Sequence, residues 1–511
     1  MPLVIAGFGD NIKVPGFYGE TLYGQSAIKL GSITRKLLIV GLKHTTLGSI
    51  TTNAEVVAIS SKEDADTYLG AGGECARMAY AALDEAKGLG VLSLYACCPA
   101  PLGGAVAATC IATFSGTSTA AGTIYFWIGG DRVEVSVASG LTATQVGVLV
   151  QTASNQFPRL AAAVTNVLTG AVTWTVGSAG IRGNDHILYV DVALCPGITV
   201  VLSGAGGAAV TSSTTLLGRK FGGGTGTETL TTMLAVEFPM KHTFKAIAQN
   251  DATSLAAWET QCDAKAGPLE GRMEHYMVAS NLAFAATTSL AQTTLNNARF
   301  NMQWLEISER HPSELAAAFA ALRCVTEGQT PNSSYDDYPL RVATPQRFPA
   351  DWVTSLAEKQ AALDVGVTTL ETRADGKVYV VRAITTKCLN GATPDYRTID
   401  VADSFVPDYA RERIGTVWTS EYRVANPYVR PNPVAGEADV PEGVATPDTW
   451  NNRVYQEEIA MEREKILVQV ALNKPSSEFN STANRIMTAM PIIPLSANHQ
   501  VGVSARQLSI T

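Results

Sequence analysis

Charge is sparse in this chain. Only 16% of its 511 residues are Asp, Glu, Lys or Arg, and the net charge is -8. No run of Lys or Arg occurs, which argues against a nucleic-acid surface, because phosphate binding needs clustered cations. The apolar runs fall short of the roughly 18 residues that a membrane span requires, so no membrane insertion is expected. The opening MPLVIAGFGDN has no basic start and no long apolar stretch, and no signal peptide is expected from it. The eight cysteines never occur as C-x-x-C, and none has a histidine at zinc-finger spacing. The adjacent Cys97 and Cys98 cannot bridge each other without strain. All eight read as reduced, small apolar residues of a cytosolic fold. The six histidines are scattered, with no H-E-x-x-H, so neither a metal nor any other cofactor is expected.

Apolar residues are plentiful at 46%. That is enough for large cores in a chain whose length suggests two to four domains. Low charge combined with abundant Ala, Thr and Gly suits a subunit with extensive buried contacts. VPGFYGE (14–20) reads as an extended arm with a turn. RKLLIVGLK (35–43) and VLSLYACC (91–98) read as buried strands on either side of a helix within 60–90, where Met78, Ala82 and Ala86 recur four apart and Gly88 and Gly90 stop it. Strand, helix, strand is an α/β pattern.

From about 99 to 219 charge nearly vanishes and Thr, Val, Gly and Ser dominate. Two β-rich runs flank Gly129-Gly130-Asp131, with Val133, Val135 and Val137 alternating against Arg132, Glu134 and Ser136. A short helix is expected over 141–157 from Thr142, and strands over 171–180 and 185–194, giving a β-rich domain inserted into the α/β one. Arg219–Gly224 reads as the returning linker. Beyond it the sequence predicts a strand at 274–281, a helix at 289–300 and a helix at 313–327 capped by Ser313. The next element is a long strand at 376–388. A helix over 447–470 begins with Thr446 as cap and Pro447 in its first turn, and presents a charged face. The tail 490–511 alternates like a strand.

Catalytic signals are poor. FSGTSTAAG (114–122) resembles a subtilisin-type serine segment around Ser118. The serine comes early, however, the only upstream histidine is His44 in KHTT, and the segment runs into a hairpin instead of opening a helix. Arg219-Lys220-Phe221-Gly222-Gly223-Gly224 lacks the order of a phosphate-cradling loop. Asp336-Asp337 reads as a solvated turn. No enzyme and no small-molecule substrate are expected.

Several segments, in order along nearly the whole chain, resemble the contractile tail sheath proteins of myophages, the Mu-like branch in particular. They include VPGFYGE, KLLIVG, YLGAGGECARMAYAAL, STAAGTIYFWIGGDRVEVSVASGLTATQVG, AVTWTVGSAGIRGNDHILYV and NRIMTAMPIIPLSANHQVGVSARQ. The most specific is GKVYVVRAITTKCLNGATPDYRTIDVADSFVPDYARERI (376–414), where Arg382, Ile384-Thr385-Thr386, Asp400 and Tyr409-Ala410-Arg411 match an R-x-I-T-T…D…Y-x-R pattern. Gly73-Glu74 stands where the family often has Gly-Ser, and Cys388 replaces an aromatic or polar residue.

The resemblance implies an α/β (α+β) multidomain protomer. An arm at 1–25 would precede a discontinuous sheath domain at 26–98 and 220–375, with an outer β-rich domain at 99–219. A tube-facing α+β domain at 376–495 and an arm at 496–511 would complete the chain. It implies a non-enzymatic homo-oligomer: hexameric rings stacked around an inner tail tube protein, meeting baseplate and tail terminator proteins, assembled in the host cytoplasm and resident in the virion tail. The arms, with Val14, Phe17, Tyr18, Val501, Val503, Ala505 and Gln507, would add strands to neighbouring subunits. Glu457, Glu458, Glu462 and Lys465 are the tube-facing candidates. A second reading gives 99–219 a glycan- or receptor-binding role through exposed Tyr125, Trp127 or Trp174.

Overall fold

The computed structural model describes residues 35–495, except 205–206, 211–214, 268–269, 329, 354, 435–436, 438–439 and 483–484. The arms expected at 1–25 and 496–511 lie outside the described residues. Within the compact unit that begins at Arg35, the centre is a nine-stranded mixed sheet.

Lys36–Val40 pairs in parallel with Ser93–Cys97 on one side and with Phe244–Ile247 on the other. The parallel run continues through His275–Ser280, Phe300–Trp304 and Val367–Thr372. Antiparallel strands close both edges: Val56–Ile59 at one, Val378–Val380 and Tyr338–Leu340 at the other. Helices cover both faces, which explains why RKLLIVGLK is apolar throughout and does not alternate. Leu37 and Ile39 point to one core, with the helices Glu74–Ala86 and Pro312–Thr326. Leu38 and Val40 point to the other, with Trp258 of Ala252–Ala266. The first two helices face each other through Ala76, Ala79, Ala82, Ala316, Ala317, Ala320 and Ala321, all in one buried cluster, and small side chains let the backbones approach closely.

The inserted β-rich domain is a sandwich of two four-stranded antiparallel sheets. One sheet is ordered Ile198–Ser203, Ala107–Gly116, Ala171–Ala179, Ala162–Leu168. The other is ordered Leu216–Lys220, Ile187–Asp191, Gly122–Ile128, Asp131–Val137. The interior holds Phe114, Ile124, Val135 and Val172, with the rings of Phe126 and Trp174 5.7 Å apart. The helix Ala143–Asn155 starts at Thr142, as the sequence predicts, in a reciprocal box with Gln145.

Two buried guanidinium groups weld the sandwich to the sheet domain. Arg77, one turn into the helix Glu74–Ala86, reaches Glu314 at 2.6 Å, Asp131 of the sandwich hairpin at 2.8 Å and the carbonyls of Gly129 and Arg159. A side chain at Gly129, whose φ is +59°, would collide with this guanidinium. Arg182, from the sandwich, grips Glu74 through Nε and Nη2, both at 2.7 Å, and Glu228 at 2.6 Å. Burial alone would push the Glu74 carboxyl up, yet the Arg182 charge holds it below the ordinary range.

Several local expectations change in three dimensions. The helix within 60–90 is interrupted, because Gly70 and Gly72 take left-handed conformations before Glu74. The helix expected at 289–300 begins at Phe284 and ends at Leu295. Asn296 stops it, with left-handed backbone and a side chain that bonds Cys388 N, Leu389 N and Leu389 O. Ser313 is not the cap of the next helix. Pro312 occupies its first turn, and His311 Nδ1 accepts from Ser313 N at 3.3 Å. Arg219-Lys220 is not linker but the end of the strand Leu216–Lys220. The long strand expected at 376–388 shrinks to Val378–Val380, and because that strand belongs to the nine-stranded sheet, the sheet runs past the domain boundary expected at 375–376. All eight cysteines are buried and none forms a disulfide.

Arg182→Met removes the partner of two buried carboxylates. Its expected cost is about 3–5 kcal/mol, well above that of a surface ion pair. Urea unfolding at pH 7 measures it, and a loss under about 1 kcal/mol would mean that the weld does not hold the two parts together.

Candidate functional site

The motif at 382–411 is a set of staples. Arg382 holds Asp400 with two bonds of 2.8 and 2.9 Å, and Asp400 caps the helix Val401–Val417. Ile384 is fully buried, and its carbonyl accepts from Asn301 Nδ2 at 2.6 Å. Thr385 Oγ1 donates to Thr398 O at 2.6 Å, and Thr386 Oγ1 donates to Asn297 O at 3.0 Å. Tyr409 lies under the Arg35 guanidinium, 5.4 Å from it, and Arg411 reaches the sulfur of Met273 at 3.8 Å. These residues fasten the chain leaving the main sheet to the helix Val401–Val417, which supports the C-terminal part of the protein.

The helix Pro447–Arg463 packs beside Val401–Val417. Thr446 caps it in a reciprocal box with Thr449, and Pro447 fits its first turn, as the sequence predicts. Met461 meets Val406, Ala410, Ile466, Leu467 and Val470 in a small separate core. The helix stops at Arg463, short of the expected 470, because Lys465 is left-handed and the chain then runs beside 493–495: Val468 N donates to Ile493 O, and Leu495 N to Ile466 O, each at 3.0 Å. At its start Trp418 stacks on Tyr422, Trp450 meets Trp418 edge-on and Tyr422 at a tilt, and Tyr422 Oη lies 2.7 Å from Thr449 Oγ1.

The charged face divides. Glu457 is buried, not solvated. Its oxygens take Arg413 Nε at 2.6 Å and Arg453 Nη1 at 2.9 Å. Burial would raise its carboxyl, but the two arginines hold it below the ordinary range. Arg413 also reaches Glu464, and Arg453 reaches Glu421, so the pairs knit the two helices together. Glu458 is 1% exposed, neither of its oxygens has a hydrogen-bond partner among the described residues, and burial pushes it up to about 7. Glu462 is half-buried and accepts from Val470 N, while Lys465 is exposed. Of the four tube-facing candidates, then, two turn inward. The helical period predicts an exposed stripe here, and the second helix covers part of it. The arm candidates Val14, Phe17, Tyr18, Val501, Val503, Ala505 and Gln507 lie outside the described residues.

Over this helix lies a hairpin, Ser476–Asn480 with Arg485–Ala489, that sequence reasoning missed. Its signal is faint: two five-residue runs around a turn rich in Asn, Ser and Thr. Trp450 Nε1 donates to Thr488 Oγ1 at 3.1 Å, and Ser477 Oγ lies 2.9 Å from Thr488 Oγ1 and 3.2 Å from Asn451 Oδ1. Among the described residues neither strand pairs with a third. Of its apolar side chains, Phe479 and Ile486 are half-buried and Met487 is 49% exposed.

No catalytic geometry assembles among the described residues. Ser118 is buried, and its hydroxyl donates to Ala120 O at 2.6 Å in a turn between strands. A cluster of Glu237, Lys245, Lys265 and Glu274, also unread in the sequence, pairs two carboxylates with two ammonium groups. All four are at most 1% exposed, which leaves a ligand no route to them. Among the described residues no three His, Cys, Asp or Glu gather as a metal site, and no helix is long and apolar enough to cross a membrane. The aromatic platform expected for glycan binding is dismantled as well. Trp174 is fully buried, and Trp127 lies beneath the Arg347 guanidinium, 4.1 Å from it. Tyr125 is half-buried beside Arg132.

No family model and no curated protein matches the chain. Among solved structures, it is similar to a sheath tail protein from Desulfitobacterium hafniense at 13% identity, over 94% of this chain and 98% of that one, with a TM-score of 0.49. A sheath tail protein from Listeria innocua is 12% identical over 91% and 92%, with a TM-score of 0.47. A chain of the anti-feeding prophage baseplate is 10% identical over 97% and 99%, with a TM-score of 0.45.

The pH dependence of stability tests the burial of Glu458. Its folded carboxyl is raised, so ionising it opposes folding. The penalty is absent below the unfolded value of 4.5, grows as pH rises and is complete above about 7. Glu458→Gln should therefore raise the urea midpoint at pH 8 relative to the parent chain more than at pH 4. Parallel midpoints at the two pH values would place the carboxylate in contact with water.

Proposed function

We propose that the chain is the sheath subunit of a contractile phage-type tail. The reading has copies of the protein forming hexameric rings that stack around an inner tube and end at baseplate and terminator proteins. A heterologous contact that does not close on itself builds such an open stack. The observation that carries the reading is the hairpin Ser476–Asn480/Arg485–Ala489. A lone two-stranded ribbon is marginal in water, and its outer edges are templates for added strands. The segments 1–25 and 496–511 of neighbouring copies supply those strands in this reading. Each main-chain bond nets about 1 kcal/mol, yet two tethered arms per copy, repeated through a lattice, give high avidity. The motif at 382–411, which resembles that of the sheath family, supports the same reading, because its staples fix the helix on which the hairpin module is built.

Contraction is then a motion of rigid bodies joined by flexible ties. A signal from the baseplate releases a metastable long state, the cores rotate, and the arms hinge without unpairing, so that the tube is driven through the host envelope during genome ejection. Glu462 and Lys465 face the tube in this arrangement. Glu457 acts one layer behind them, setting the angle between the two helices through Arg413 and Arg453. Assembly takes place in the host cytoplasm, and the product is part of the virion.

Truncation tests the strand exchange. Removing 1–20 or 496–511 should leave a folded, soluble protein whose electron micrographs show no tubes. Normal long tubes from either truncated chain would refute the role of that arm. The full chain carrying Ser118→Ala should polymerise as the parent does.

A further inference from the structure

A pair of imidazole rings belongs to the same seam as the two arginine clamps. His186 follows the sandwich turn Ile181–Asp185, which carries Arg182. His311 precedes the helix Pro312–Thr326, which carries Glu314. Both rings are buried, and their centroids are 4.5 Å apart. His311 Nδ1 accepts from Ser313 N, so the proton of that ring sits on Nε2, 3.0 Å from the carbonyl of Arg182. His186 packs against His311 and the ring of Phe221, and its Nδ1 has no hydrogen-bond partner among the described residues.

The surroundings of His186 leave no place for a second proton. Burial pushes it well below its ordinary value of 6.5, and His311 and Arg77 act in the same direction. The carboxylates of the seam are committed elsewhere: Glu74 and Glu228 to Arg182, Glu314 to Arg77 and Arg310, Asp131 to Arg77. Burial raises Asp185, which faces His311, Lys220 and Arg182, so falling pH neutralises it and supplies no counter-ion. The sandwich is also attached by a neck of two antiparallel segments, in which Pro101 pairs with Glu228, Val106 with Thr225 and Thr109 with Gly222.

We propose that the contact between His186 and His311 is an acid-sensitive latch: a proton on His186 undocks the sandwich from the sheet domain, and the neck keeps the two tethered. The latch goes beyond the sheath reading and is a property of a single chain. The docked state refuses a proton that the undocked state takes at the ordinary value. Docking is therefore strongest above pH 6.5 and weakens as pH falls below it, and the open fraction rises about thirtyfold between pH 7.5 and 5. Glu74, which burial would raise but the Arg182 charge holds below the ordinary range, titrates at lower pH than this window.

Hydrogen exchange of the full chain, corrected for the intrinsic pH dependence of amide exchange, tests the latch. The amides of Thr45 and Glu74 report on the seam, because they donate across it to Gly177 O and Ser178 Oγ, each at 2.9 Å. Their opening should grow about thirtyfold from pH 7.5 to pH 5, while the amides of His275–Ser280 stay protected. His186→Phe keeps a ring against His311 and Phe221 but takes no proton, so its seam should open equally at both pH values. His186→Gln should do the same with a smaller, polar side chain. Seam amides that speed up alike in the parent and both variants would overturn the proposal, as would a parent seam that ignores pH. Equal acceleration in His275–Ser280 would overturn it too, because the whole fold would then be opening.

Discussion

A buried guanidinium group is costly unless its nitrogens find acceptors, and the architecture turns on two in which all three nitrogens do. Arg77 and Arg182 sit at the seam between an open α/β sheet and a β-sandwich, two parts that could each have folded around its own core. Glu74 and Arg77 lie one turn apart at the start of a single helix, and each binds a different point of the sandwich. The seam is therefore fixed by two separated clamps, which removes rotation as well as translation. The same constraint explains why a glycine-rich turn faces Arg77, since backbone carbonyls must come close enough to accept its remaining hydrogens.

The regular parts of this fold were legible. The run at 35–43, the alternating valines at 133–137 and the Thr142 and Thr446 caps each arise from local chemistry, and each appears where that chemistry puts it. The failures share one cause. Asn296 ends a helix because its side chain reaches residues 388–389, more than 90 positions away. Ser313 lost the cap to His311 because His311 Nε2 also meets the carbonyl of Arg182. Glu457 and Glu458 look like a solvated stripe until a second helix covers them. Contacts between distant segments set all of these outcomes, and no local pattern encodes them.

The candidate site was half legible. The R-x-I-T-T motif could be found as a pattern, but its purpose could not. Its residues bond to Asp400, Asn297, Thr398 and Asn301, so it works as a fastening. The hairpin it supports is short, weakly alternating and polar at its turn, close to the weakest β signal a sequence can carry. That weakness has a physical side, because strands that bury little of their own surface need little apolar alternation.

The eight hidden thiols affect how the chain meets an oxidant. Burial pushes Cys97, Cys110, Cys262 and Cys324 up to about 12, so almost none of their thiolate exists near neutral pH. Dissolved oxygen and peroxide act on thiolate. A chain that keeps it out of reach resists scrambling into covalent aggregates in air. Shielding by the fold does here what glutathione does in a cytosol.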